Sequence, residues 1–167
     1  MKTKKLVISS LFAAIVFMAT TILKLPSLVG SGYINLGDGV ILISAFLLDP
    51  LSSGLAAGVG SFIADIVVGA SVYAIPTFII KFLMGFLVGY LFKKLSVKKV
   101  TLIKIILCGV VGEAIMILGY FFYEIFLYGV ATALMSSLLA LVQAVLSILV
   151  ATVLYFKAFK NKLLYRR

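Results

Sequence analysis

From about Leu6 to Phe156 the chain runs as a series of apolar stretches, broken only by short polar or glycine-containing segments. A bilayer core takes about 20 apolar residues of helix to cross. Soluble domains are roughly half apolar. Here 64% of 167 residues are hydrophobic and the mean hydropathy is +1.30. The chain is therefore an integral membrane protein. Its length allows at most about six spans, with short loops and no room for a soluble domain.

The breaks place the spans at approximately 6–23, 38–49, 52–69, 76–92, 100–122 and 131–156. This predicts an all-α, six-helix membrane bundle forming a single domain over 1–167. The basic start MKTKK runs into an apolar stretch without a small-residue cleavage site, so that stretch reads as the first span rather than a removed signal. The second segment is short and needs tilt or extension at either side. Asp49-Pro50 makes a turn, because proline cannot continue the helix it ends. Pro76 suits a first helical position. The single cysteine, Cys108, excludes an internal disulfide and reads as a small buried residue.

The net charge of +10 is explained by topology. Lys2, Lys4 and Lys5 precede the first span; Lys93, Lys94, Lys98 and Lys99 surround one loop. Lys157, Lys160, Lys162, Arg166 and Arg167 form the tail. Basic residues concentrate on the cytoplasmic side, so both termini and the KKLSVKK loop are predicted inside. No nucleic-acid patch is needed.

Against this background Lys81 is anomalous, a charge within an otherwise lipid-soluble helix. Such residues face a partner, a ligand or water. Counting residues from the predicted ends puts Lys81, Glu113, Gln143, Asp65 and Asp38 in the outer half of the bundle. Lys81, Gly85 and Gly89 share a helix face, as do Gly109, Glu113, Met116 and Tyr120. Ala140, Gln143 and Ser147 share another, and Ala57, Ser61 and Asp65 a fourth. Polar groups among small residues predict a pocket open to the outside. Lys81 is expected to contact ligand, or else to pair with Asp65 or Glu113 or to snorkel to the outer surface. Glu113 and Gln143 are candidates for ligand contact. Asp38, Asp49 and Asp65 are expected to be structural, as a helix cap, a turn residue and a loop anchor. Tyr33 and Tyr73 flank the predicted pocket mouth. On the first span, Ser9/Ala13 and Ser10/Ala14 form two small-xxx-small pairs that permit close helix approach.

An ordered set of motifs then limits the function. Tyr33 to Asp38 reads Y-I-N-L-G-D and is followed by Asp49-Pro50. Gly58 to Asp65 reads G-V-G-S-F-I-A-D. Gly69 precedes Y-A-I-P-T-F-I-I-K, from Tyr73 to Lys81. With this spacing the chain resembles the substrate-binding S components of energy-coupling factor (ECF) vitamin transporters. The resemblance implies a six-helix, multi-pass protein of the bacterial cell membrane that captures a vitamin from outside. It implies substrate contacts at Tyr33, Asn35, Tyr73, Lys81, Glu113 and Gln143. Ser9, Ser10, Ala13 and Ala14 match the surface that docks on the transmembrane coupling protein, with serines at part of a motif that usually carries alanines.

The sequence has no G-x-x-x-x-G-K-[ST] phosphate loop. The resemblance supplies the energy source: one coupling membrane protein and two partner ATPases, with ATP used there and no cofactor in this chain. It also implies that the protein topples in the membrane to release its substrate. A pocket of Lys, Glu, Gln and tyrosines suits a small polar aromatic ring, with pyridoxine-type vitamins or hydroxymethylpyrimidine fitting best. Riboflavin, pantothenate and other vitamins stay open, and the lack of Trp argues against a thiamine-type cage. The chain has no histidine, which disfavours an enzyme. A stand-alone carrier or channel is the other class.

Overall fold

The computed structural model describes residues 2–22, 24–26, 33–96 and 100–159. It contains α1 (Lys2–Ile22), β1 (Lys24–Pro26), β2 (Tyr33–Asn35), α2 (Gly37–Leu47) and α3 (Pro50–Val67). These are followed by α4 (Ser71–Leu95), α5 (Leu102–Tyr128), α6 (Val130–Leu154) and a π-helical turn, Tyr155–Phe159. Gly30 to Gly32, Lys98 and Lys99 of the KKLSVKK loop, and the basic tail from Lys160 lie outside the described residues.

Five helices, all but α2, are long and apolar enough to cross a membrane. Their outer faces carry Leu6, Leu11 and Ile15 on α1, Ile103, Leu107 and Val110 on α5, and Leu134, Leu138 and Leu141 on α6. That is the surface expected against lipid tails.

The second segment does not extend to a full span. At 11 residues, α2 measures about 16 Å at 1.5 Å per residue. It is instead the core of the bundle, packed by α1, α3, α4 and α6. Ile41, Leu42, Ser44 and Ala45 are fully buried. At one end Phe46 meets Phe92, with ring centroids 4.6 Å apart, and Tyr155 edge-on at 5.7 Å. Because neighbours surround α2, groups at its start are shielded from both water and lipid.

Local chemistry sets the helix ends. Asp49 caps α3, accepting from the Ser52 amide at 3.3 Å, and Pro50 occupies the first turn, where its missing N–H costs nothing. Partial burial raises the Asp49 carboxyl, but bonds from Ser52 and the Lys5 ammonium outweigh it and hold the group below its ordinary value. Lys5 bridges Asp49 at 2.9 Å and ties α1 to this turn. Pro76 does not begin α4, which starts five residues earlier at Ser71. A proline inside a helix leaves the carbonyl four residues back without its N–H. Here that carbonyl belongs to Val72, and the Tyr123 hydroxyl donates to it at 2.6 Å. Gly129 is the sole link between α5 and α6; its φ of +84° is a conformation side chains disfavour.

α1 and α3 meet through small residues. A Cβ on Gly60 would fall 2.5 Å from the Ala13 carbonyl oxygen and 2.9 Å from Val16 Cβ. The two short strands pair antiparallel, with Leu25 opposite Ile34. This hairpin lies at the end of the bundle where α3 finishes and α4 starts. Lys93, Lys94 and Lys157 lie at the opposite end with Lys5 and Asp49.

Candidate functional site

Asp38 sits in the first turn of α2, with its carboxylate fully buried. It is not the helix cap; Leu36 holds that position and no side chain caps the helix. A carboxylate there is favoured by the helix dipole and forms a buried ion pair with Lys81 of α4. The partner of Lys81 is thus Asp38, not Asp65 or Glu113. Gln143 of α6 donates from Nε2 to the second Asp38 oxygen at 2.5 Å. Its Oε1 accepts the Asn35 backbone N–H at 2.8 Å. Asn35 Oδ1 in turn accepts from the Gly37 amide at 2.8 Å. One network therefore fastens strand β2 to α2, α4 and α6.

A cavity of about 90 Å³ opens beside this network. Four of the six expected contacts, Asn35, Tyr73, Lys81 and Gln143, line it. Tyr33 is in β2, but its side chain lies outside the described residues. Glu113 is not in the cavity wall. It is 2% exposed, neither carboxyl oxygen has a hydrogen-bond partner among the described residues, and it lies within electrostatic reach of Asp38 and Lys81. Asp65, expected as a scaffold residue, borders the cavity itself. Asp49 is at the basic end. On α1, Ser10 and Ala14 are exposed, whereas Ser9 and Ala13 are half-buried.

The cavity wall includes Thr20, Thr77 and Glu124, which the sequence reading did not single out for it, beside Ser61, Met116 and Tyr120 of its predicted pocket stripes. Glu124 accepts from the Tyr73 hydroxyl at 3.2 Å and is buried. Thr77 and Tyr120 share a hydrogen bond of 2.9 Å between their hydroxyls. Lys81 Nζ lies 5.4 Å from the centre of the Tyr120 ring. Thr20, Ser61 and Met116 complete much of the wall. Glu124 had a visible signal: it extends the stripe Glu113, Met116, Tyr120 by one helical turn.

An amine, carboxyls, an amide, hydroxyls and aromatic rings thus converge on one space at the hairpin end of an apolar helical bundle. Pockets of this kind, with few polar groups placed among apolar walls, hold and orient small molecules. The fold and site define a membrane-embedded small-molecule binding protein.

A family model described as "ECF-type riboflavin transporter, S component" matches residues 1–161. The chain belongs to that family. It is therefore a multi-pass membrane protein and the substrate-binding subunit of an ECF importer, not an enzyme, and it works with ECF transmembrane and ATPase subunits. It is also 36% identical over 135 residues to a protein of Pyrococcus woesei, described as an uncharacterized protein in the gap 3′ region. That match covers 81% of this chain and 88% of the relative.

Proposed function

We propose that this S component captures a nitrogen-heterocyclic vitamin from outside the cell in the cavity lined by β2, α1, α3, α4, α5 and α6. The observation that carries the reading is the buried Lys81–Asp38–Gln143 network at the cavity wall. Buried ionic groups in a membrane bundle are costly and mark functional sites. On this reading Asn35, Tyr73, Lys81 and Gln143 contact ligand directly, with Tyr33 at the mouth. Glu113 acts from behind the wall.

A single-ring vitamin, pyridoxine or hydroxymethylpyrimidine, is favoured by size. The cavity of about 90 Å³ is smaller than the roughly 150 Å³ that takes up benzene. One ring needs modest side-chain movement; a three-ring flavin needs displacement of the wall. Riboflavin is the second reading, and the family description favours it.

The basic end would face the cytoplasm with both termini, and the hairpin end the outside. The chain would act as one six-helix domain with α2 as its buried sixth member. Energy would come from one coupling membrane protein and two ATPases, docked through Ser10 and Ala14 with Ser9 and Ala13 behind them. Mass spectrometry of the purified protein, followed by titration with pyridoxine, hydroxymethylpyrimidine and riboflavin, tests the ligand. Tight binding of a single-ring compound is expected. Riboflavin alone binding would replace it, and ATP-independent transport by the reconstituted chain would favour a carrier instead.

A further inference from the structure

Four carboxyl groups, Asp38, Asp65, Glu113 and Glu124, are each at most 7% exposed, whereas Lys81 is the one buried amine among the described residues. Lys81 is committed to Asp38. Glu113 lies outside the cavity wall, and Asp65 borders it. Glu124 faces the cavity as an acid with no amine or guanidinium paired to it among the described residues. Its hydrogen bond comes from the neutral Tyr73 hydroxyl. Burying a carboxylate with so little compensation is costly. A ligand that brought the missing positive charge would offset that cost.

Two further observations point into the same space. Thr20 Oγ1 on α1 and Ser61 Oγ on α3 line the cavity, are buried, and have no hydrogen-bond partner among the described residues. Buried hydroxyls are rarely left unmatched. The Tyr73 and Tyr120 rings, with centroids 6.3 Å apart, also border it. Aromatic faces attract cations.

We infer that the cavity selects a ligand bearing a protonated or cationic nitrogen, held by Glu124 beside Tyr73 and Tyr120, with a hydrogen-bonding substituent directed at Thr20 and Ser61. This rests on the vitamin-binding reading and narrows its substrate class. It singles out Glu124 as the residue that sets charge preference.

Pyridoxamine and pyridoxine differ at one substituent, an ammonium in place of a hydroxyl, and make the test. Calorimetric titration of the purified full-length protein in detergent should give at least about tenfold tighter binding of pyridoxamine, the scale of a charge-assisted hydrogen bond. Glu124→Gln should remove that preference, and an unchanged thermal unfolding midpoint of the purified variant shows that it is folded. Equal or tighter binding of pyridoxine, or of riboflavin in preference to both, overturns the charge selection and leaves the S-component reading standing. Equal loss of both ligands in Glu124→Gln overturns the role of Glu124. Binding of none of these three, and none of hydroxymethylpyrimidine either, overturns the proposed vitamin site and this inference with it.

Discussion

The side chains of Lys81 and Asp38 are 4% and 1% exposed, so water cannot take the place of either partner. Removing one partner of such a pair strands a buried charge and costs about 3–5 kcal/mol, whereas removing both charges together costs far less. Lys81→Met alone should therefore lower the thermal unfolding midpoint of the purified protein sharply. Asp38→Asn combined with Lys81→Met should recover most of that loss, since the introduced amide would still face Gln143. Ligand affinity should stay low in the double variant if Lys81 touches ligand. A double variant less stable than Lys81→Met would remove the pair from the account of stability. That Lys81 has a buried polar role was legible in the sequence, because a lysine within an apolar helix is costly unless it meets a polar group. Its partner was not. Counting residues along a helix gives depth but not which way a side chain points across the bundle. Asp38 reads as a cap because the sequence does not show that α2 is central. Glu113 departs from expectation for a related reason: its depth fits, but its side chain lies behind the cavity wall.

Among the elements, α1 has two unlike sides. Ala13 lies against α3, where Gly60 leaves no space for a Cβ. Ser10 and Ala14 are exposed. Gly60→Leu should force α1 away from α3 and destabilise the protein by about 1–3 kcal/mol, the usual cost of overpacking. Thermal unfolding of the purified variant reads that loss. Ala14→Trp should leave the unfolding midpoint and ligand affinity nearly unchanged but reduce co-purification with the coupling membrane protein. If Ala14→Trp co-purifies as wild type does, the exposed side of α1 is not the docking surface. The small-residue pairs were visible in the sequence; which pair packs inward was not, because that depends on where α3 places Gly60. The helices themselves were legible from apolar runs and turn residues. The start of α4 was not, because proline usually opens a helix and the Tyr123 hydroxyl that satisfies Val72 comes from another helix 51 residues away.

The whole molecule is polarised. Lys2, Lys4, Lys5, Lys93, Lys94, Lys104 and Lys157 belong to the helix ends opposite the hairpin, whereas Lys24 of the hairpin, Lys81, Asn35, Tyr73, Glu124 and the cavity lie toward the hairpin end. Positive charge is retained on the cytoplasmic side during insertion, so the proposed topology turns the cavity outward. The orientation can be read with thiol chemistry, because the one native cysteine, Cys108, is fully buried and gives little background. Ser71 begins α4 at the hairpin end and is exposed; Lys93, near the other end of the same helix, is exposed too. In intact cells a membrane-impermeant maleimide should label Ser71→Cys and not Lys93→Cys. After permeabilisation both should react. The two sites share one helix, about 33 Å apart over 22 residues at 1.5 Å each, so a single inversion of topology would exchange their behaviour. Labelling of Lys93→Cys in intact cells would turn the cavity toward the cytoplasm, and uptake from outside through this site would then be impossible.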